Sequence, residues 1–148
     1  MARSPARPAR ITPLWLAHHY PEDYDRCVRI GRSHVCRRCL ALYPVAFVVM
    51  VATAGWQPPT PVDVVIVALL PLPGVVEFVA EHLGAVRYSP RRQVALTVPL
   101  AVGLGRGLAR YLEDRTDPLF WSVVVVYALV CGLAAWYRWR RPAPGEPI

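Results

Sequence analysis

Three of the four cysteines and three of the four histidines lie in one short polar segment, residues 18–39. Thiolates and imidazoles are the side chains that bind zinc in proteins, so this segment is a candidate metal site. Cys36 and Cys39 are separated by two residues, a spacing that lets two thiolates bind one tetrahedral ion from a single tight turn. Further donors close in the sequence are Cys27, His18, His19 and His34. The ligands that we predict for this zinc ion are Cys36, Cys39 and Cys27, completed by His18 or His19.

Two alternatives for these thiols remain open: a redox-active dithiol, and cysteines that bind nothing. Arg37 and Arg38 lie between the two cysteines and favour the thiolate form that both metal binding and redox chemistry require. Zinc is preferred to iron because the fourth cysteine, Cys131, lies far away in an apolar stretch. A lone thiol there behaves as a small hydrophobic side chain.

A second group of residues that could do chemistry lies within the apolar part of the chain. Glu77 and Glu81 are four residues apart, so on a helix they share one face, while His82 points about 100° away from Glu81. Carboxylates and imidazoles in an apolar surrounding can exchange protons with a substrate. These three residues are therefore the candidate catalytic acids or bases.

Arg106 and Arg110 show the same spacing of four residues in a later apolar segment. A charge near the centre of a bilayer costs at least ~2.5–3.5 kcal/mol, so all these charged side chains should face a bundle interior or a partner. We expect Asp63 to lie near the level of Arg110 and to pair with it, and Glu77 to lie about 10 Å from Arg106 along the bundle axis. Two interpretations remain open: ion pairs that lock the bundle, and a polar cavity used for chemistry.

The composition decides what kind of scaffold must position these residues. Of 148 residues, 55% are hydrophobic and only 18% are charged, which excludes intrinsic disorder. Four cysteines are too few for a disulfide scaffold. The net charge is +7 and all 17 basic residues are arginine, but they are crowded between long apolar stretches rather than spread over a soluble surface. We therefore predict a small integral membrane protein with the lipid bilayer, and no nucleic acid, as its partner.

Four apolar segments divide the part of the chain from residue 40 to residue 137. They cover residues 40–56, 62–86, 94–112 and 119–137. About 20 helical residues cross a bilayer, and short connections force neighbouring helices to run antiparallel. The predicted fold is an all-α, up-down bundle of four transmembrane helices. Pro71, Pro73 and Gly74 should break the second helix near its middle.

The remaining segments flank this domain. We predict a flexible tail rich in arginine and proline over residues 1–17, the Cys/His segment over residues 18–39, and a second tail over residues 138–148. In a four-span arrangement 14 of the 17 arginines fall on one side. The positive-inside rule then predicts a multi-pass protein of a bacterial plasma membrane, with the Cys/His segment and both termini in the cytoplasm.

The run Cys36-Arg37-Arg38-Cys39-Leu40-Ala41-Leu42-Tyr43 resembles a motif of an uncharacterised family of small bacterial membrane proteins, grouped as a domain of unknown function. That family has a Cys-His pair followed by C-x-R-C-x-G-[IL]-Y at the start of the first span. Here Ala41 stands in place of the glycine, and His18-His19 stands in place of Cys-His. An acidic residue in the second span and the run Ser89 to Arg92 match more loosely. The resemblance implies a membrane location and a site at these residues, but no activity.

The functional hypothesis that follows is a structural zinc ion that fixes the Cys/His segment to the start of the first helix. The protein would then be a subunit or accessory factor of a membrane complex, or a homo-oligomer. The alternative is a metal-dependent enzyme acting on a lipid-linked or amphiphilic substrate. A transporter built around the broken helix is a third hypothesis, and with four spans it would have to oligomerise. Five arginines would suit a phosphate head group, although the positive-inside rule explains them equally: Arg37, Arg38, Arg87, Arg91 and Arg92.

Overall fold

The computed structural model describes Tyr24 and residues 26–140. The two strands are β1, Cys27–Ile30, and β2, Ser33–Cys36. The helices are α1, Arg37–Ala52; α2, Thr60–Val64; α3, Leu72–His82; α4, Pro90–Glu113; and α5, Pro118–Arg140. The chain divides into two compact units, residues 1–40 and residues 41–148. The predicted N-terminal tail, His18 and His19, and residues 141–148 of the C-terminal tail lie outside the described residues.

The first unit contains a β-hairpin that the all-α prediction missed. β1 pairs antiparallel with β2, and Cys27 lies opposite Cys36. The two-residue connection begins with Gly31, whose φ is 60°, as the tight turns that match the twist of paired strands require. β2 ends at Cys36 and α1 begins at the next residue, so the Cys36-x-x-Cys39 motif crosses a junction between a strand and a helix.

The prediction of four transmembrane helices is wrong. Among the described residues two helices are long and apolar enough to cross a membrane, Thr60–His82 and Pro118–Arg140. α1 has only 16 residues and is therefore about 24 Å long, less than the hydrocarbon thickness of a bilayer. α4 has 24 residues, but glycines, Thr97 and Pro99, together with Arg106 and Arg110, make it much less apolar than the other two. The prediction counted every long apolar segment as a span, whereas α1 is short and α4 is interrupted by polar residues.

The helix from Thr60 to His82 is broken where its prolines predicted. Pro71 and Pro73 have no backbone N–H, so the regular pattern of helical hydrogen bonds cannot continue through them. A π-helical turn, Val65–Leu69, precedes the break, and the Leu70 N–H bonds the carbonyl of Val65, 2.8 Å away. The Tyr127 hydroxyl of α5 donates a hydrogen bond to the Ala68 carbonyl. The break is therefore braced by a side chain from another helix.

α4 packs closely against the rest of the second unit through three glycines. A Cβ atom at Gly103 would overlap Pro71, and one at Gly105 would overlap the Ala46 carbonyl of α1. A Cβ atom at Gly107 would lie 3.3 Å from the Phe120 ring of α5. Residues two apart on a helix point about 200° apart, so alternate glycines face different neighbours. α4 can occupy the centre of the bundle because these positions have no side chain.

Candidate functional site

The predicted zinc ligands of the hairpin form a thiol cluster, by which we mean Cys27, Cys36 and Cys39. Cys27 and Cys36 are direct cross-strand partners, and both are buried, with exposed fractions of 6% and 2%. Cys39 lies in the first turn of α1, where its thiol shares a hydrogen bond with that of Cys36. The hairpin register thus places Cys27 opposite Cys36, and the junction between β2 and α1 places Cys39 beside Cys36.

The electrostatics of the thiol cluster differ from the sequence-based expectation. The hydrogen bond with Cys36, together with burial, raises the pKa of the Cys39 thiol well above its ordinary value, and the nearby Cys36 adds to this. Arg38 acts in the opposite direction but is outweighed. Arg37 instead donates to the Cys27 carbonyl at 3.3 Å, which ties the first turn of α1 to β1. The two arginines therefore do not make Cys39 a thiolate on their own.

Whether a metal ion fits this cluster depends on the donors around it. In the described part of the chain, no group of three or more His, Cys, Asp or Glu side chains is arranged to hold a metal ion. His18 and His19, the predicted fourth ligands, lie outside that part. His34 is two residues before Cys36 on β2, hence on the same face of the hairpin, and its ring stacks on Tyr24 with 4.0 Å between centroids. Sulfur donors of this kind suit zinc, so the donor chemistry fits although the donors are not gathered around one point.

The candidate catalytic residues of α3 occupy the second unit. Glu77 and Glu81 are both buried, on the shared face that their spacing predicted. Arg92 of α4 lies beside Glu77, with its Nε 3.6 Å from Glu77 Oε1. His82 Nδ1 is 2.8 Å from the Phe78 carbonyl of its own helix, and the His82 ring stacks on the Phe78 ring. The Glu77 carboxylate is thus near an arginine, whereas the imidazole is held against its own helix.

The second unit also contains a buried ion-pair cluster, which we call the Asp63 network: Asp63, Arg106, Arg110 and Asp117. Asp63 and Arg106 each have an exposed fraction of 1%. Arg106 Nε donates to Asp63 Oδ1 at 2.7 Å and Nη2 donates to Oδ2 at 3.0 Å. Arg110 donates to both Asp63 and Asp117. Two positive and two negative charges therefore balance inside the bundle.

Only part of the Asp63 network could be found from sequence. The pair of Asp63 and Arg110 is confirmed. Arg106 pairs with Asp63, and not with Glu77, from which a stagger of about 10 Å was expected. Sequence reasoning missed that Arg106 also reaches Asp63, and that its Nη1 donates to the Thr53 carbonyl at 3.0 Å, just beyond α1. It also missed Asp117, although an Asp immediately before Pro118 is a recognisable signal for a helix start.

Asp117 has two roles at the start of α5. Its Oδ1 accepts a hydrogen bond of 2.7 Å from the Phe120 N–H, as an N-cap does. Its other oxygen accepts from Arg110. Burial acts to raise the pKa of Asp117, but the hydrogen bonds from Arg110 and Phe120 outweigh it, so the pKa is held below its ordinary value. Asp117 is therefore charged in the folded protein and links α5 to α4.

An apolar cavity of about 170 Å³ lies beside the helix break. Residues from both candidate spans and from α4 line it, including Pro71, Leu104, Phe120 and Val124. Almost no polar surface faces it, since the Tyr127 hydroxyl at its edge is bonded to Ala68. The cavity contains no group suited to acid, base or metal chemistry, so it is separate from the polar clusters described above.

Comparisons with protein families, curated proteins and solved structures found no match to this chain. The resemblance at Cys36 to Tyr43 therefore stays a prediction.

Proposed function

We propose that this chain is a membrane-embedded protein whose hairpin binds one zinc ion through Cys27, Cys36 and Cys39, completed by His18 or His19. The ion has a structural role: it holds the strand and helix that carry its ligands together. The observation that carries this proposal is the pairing of Cys27 with Cys36 across the hairpin, together with the hydrogen bond between the thiols of Cys36 and Cys39. A hairpin of two four-residue strands is marginal by itself, so a bound metal would stabilise it substantially.

The membrane part of the proposal is supported by the two helices that are apolar enough to cross a bilayer. Large apolar side chains on them are exposed in the isolated chain, among them Val76, Leu129 and Leu133. A bilayer would cover such surfaces. We place the protein in a bacterial plasma membrane with the hairpin on the cytoplasmic side, because the hairpin segment is rich in arginine and arginines concentrate on that side of membrane proteins. A cytoplasmic site would keep the thiols reduced and able to bind metal.

A structural role is favoured over a catalytic one by the contacts of the proposed acids and bases. Glu77 lies beside Arg92, and His82 interacts with Phe78 of its own helix. Both arrangements stabilise the second unit without a substrate. In this proposal the zinc-bound hairpin is a surface for a membrane-protein partner or for a second copy of the chain.

Elemental analysis of the purified full-length protein tests the zinc site. The account expects about one zinc per chain, since three thiolates and one imidazole make a closed tetrahedral site. The double variant Cys36→Ser/Cys39→Ser should lose the metal. Cys131→Ser is the matched control, because Cys131 lies in α5 away from the hairpin sequence, and it should retain the metal. Wild-type protein without stoichiometric metal would contradict the proposal.

Membrane embedding has its own test. Membranes that contain the full-length chain are washed with alkaline carbonate, which removes proteins bound only to the surface. The chain should stay with the lipid and be released by detergent. Release by carbonate would contradict membrane embedding while leaving the zinc proposal open to the metal analysis.

A further inference from the structure

One end of the second unit is strongly basic. At this end α3 ends, α4 begins and α5 ends. α4 runs antiparallel to both neighbours, because Arg106 near its end pairs with Asp63 of α2, Gly74 of α3 lies against Leu96 near its start, and Arg110 pairs with Asp117 just before α5. We call it the basic end and define it by five arginines on these elements: Arg87, Arg91, Arg92, Arg138 and Arg140. Four of the five are exposed, and Arg92 is half-buried. The basic end thus presents several positive charges to its surroundings.

These charges are only partly used inside the protein. Arg92 bonds the Arg87 carbonyl at 2.5 Å and approaches Glu77. Arg140 lies over the Trp136 ring, 4.1 Å from its centroid. The described residues offer no side-chain partner to Arg87, Arg91 or Arg138. Three guanidinium groups at one end are therefore available to a ligand.

The acidic residues are distributed in the opposite way. Of the acidic side chains in the described part of the chain, only Glu113 and Asp114 are exposed, and both lie where α4 ends, at the other end of the unit. Glu77 and Glu81 are nearer to the basic end but are buried. No exposed carboxylate among the described residues of the second unit therefore neutralises the arginines at the basic end.

Aromatic side chains accompany these arginines on the last turns of α5. Trp139, between Arg138 and Arg140, has an exposed fraction of 83%, and Trp136 and Tyr137 are also exposed. A tryptophan this exposed is unusual for a surface in water. Indole and phenol rings are enriched where the hydrocarbon of a bilayer meets its head groups. The rings thus place the arginines at the level of the lipid phosphates.

We propose that the basic end binds the head groups of anionic phospholipids, with Arg87, Arg91, Arg138 and Arg140 contacting their phosphates. This inference rests on the proposed membrane embedding, with α4 running back between the two spans so that both spans end at the same face of the bilayer. It adds a preference for a class of lipid. The guanidinium fork binds phosphate oxygens in pairs, which suits it to this ligand. Positive charge near an anionic leaflet also lowers the free energy of the bound state by electrostatic attraction.

The surface adjoining the basic end favours lipid over nucleic acid as the occupant. One and two turns before Trp136, Leu133 and Leu129 of α5 are exposed, with no charge between them and Trp136. A nucleic acid would leave this apolar surface in water. A phospholipid covers both parts, because its phosphate meets the arginines and its acyl chains meet the leucines.

The experiment uses the full-length chain reconstituted in vesicles that contain equal amounts of phosphatidylglycerol and phosphatidylcholine. The lipids that remain with the protein after extraction into polymer-bounded discs are counted by mass spectrometry. The lipids retained by the wild-type protein should contain a larger fraction of phosphatidylglycerol than the vesicle does. This enrichment should be smaller at high salt, because salt screens the attraction between the arginines and the phosphates. Arg138→Gln should lower the enrichment by up to about fivefold, the factor that corresponds to one arginine near an anionic surface. Arg115→Gln is the matched control, since Arg115 lies in the loop at the other end, and it should leave the enrichment unchanged.

Each outcome decides one proposal. Protein that resists carbonate but carries the two lipids in the vesicle ratio overturns the lipid preference and leaves membrane embedding intact. Equal losses of enrichment in Arg115→Gln and Arg138→Gln would also overturn the proposed site, because a general effect of net charge would then explain the enrichment. Protein that carbonate releases contradicts embedding, and with it the inference. Co-purified nucleic acid that displaces phosphatidylglycerol would also overturn it.

Discussion

The thiol cluster and the Asp63 network are both buried groups of polar side chains, but they differ in how they are completed. In the Asp63 network two arginines and two aspartates balance each other, and the Arg106 guanidinium bonds Asp63 and the Thr53 carbonyl. In the thiol cluster two strands and a helix carry three thiols, and the influence of Arg38 on Cys39 is outweighed by the hydrogen bond with Cys36 and by burial. A buried polar group can thus consist of opposite charges that balance, or of side chains of one kind that are suited to bind a metal ion. This is the physical reason why we propose a metal ion at the hairpin and interpret the Asp63 network as structural.

The largest effect should follow when the Asp63 network is broken at its centre. Asp63→Ala would leave Arg106 and Arg110 buried without their shared carboxylate, so we expect a loss of about 3–5 kcal/mol of stability. Thermal unfolding in detergent measures it, and the zinc content should not change. Asp114→Ala removes an exposed carboxylate from the adjacent loop and serves as the control. Equal effects of the two changes would contradict the central place of Asp63.

The next largest effect is expected where α1 packs closely on α4. Gly105→Ala introduces a methyl group that overlaps the Ala46 carbonyl, so we expect destabilisation of about 2 kcal/mol despite the better helix propensity of alanine. Gly132 has no atom within 4 Å of the same added group. Gly132→Ala should therefore leave the unfolding temperature unchanged or raise it. A Gly105→Ala protein as stable as wild type would mean that α1 does not pack closely on α4.

Asp117 should make the stability of the bundle depend on pH. Its pKa is lower in the folded protein than in the unfolded chain, so its contribution is present above the unfolded pKa of about 3.9 and is lost as the pH falls toward the folded value. Asp117→Asn keeps the N-cap but removes the charge that binds Arg110, and should cost about 1.5 kcal/mol at neutral pH. Unfolding temperatures measured from pH 3 to pH 7 should show a weaker acid dependence in the variant. An identical dependence would exclude this role for Asp117.

A smaller effect is expected at the helix break. Tyr127→Phe removes the hydroxyl that bonds the Ala68 carbonyl, and should lower stability by about 1 kcal/mol. Tyr43 is largely exposed on α1, so Tyr43→Phe is a matched control that should have no effect. Thermal unfolding of both variants measures the difference. A bundle insensitive to Tyr127→Phe would show that the break is stable without this brace.

The parts of the fold that sequence predicted are those set by local chemistry. The break at Pro71 and Pro73 follows from missing N–H groups, and the pair of Asp63 and Arg110 follows from helix rise along known segments. The number of spans was wrong because hydrophobic length alone does not register that α1 is short or that α4 is interrupted by polar residues. The hairpin was missed because its strands have only four residues each. An alternating pattern this short is not distinguishable from a loop.

In the candidate site, too, sequence predicted only the contacts between residues that are close in the chain. The spacing of Cys36 and Cys39 indicated their proximity, but Cys27 could be placed only through the hairpin register, which depends on the turn at Gly31. The partners of Arg106 depend on how helices distant in sequence are rotated against each other. No periodicity in the sequence contains that information.

X-ray absorption at the zinc edge of the purified full-length chain would show the ligands of the proposed zinc ion. We expect one zinc per chain with three sulfur ligands at about 2.3 Å and one nitrogen at about 2.0–2.1 Å. We also expect that Cys27→Ser lowers the sulfur count by one, whereas Cys131→Ser leaves the spectrum unchanged. A spectrum with only nitrogen and oxygen ligands, or one that Cys27→Ser does not alter, would contradict the thiol cluster as the metal site.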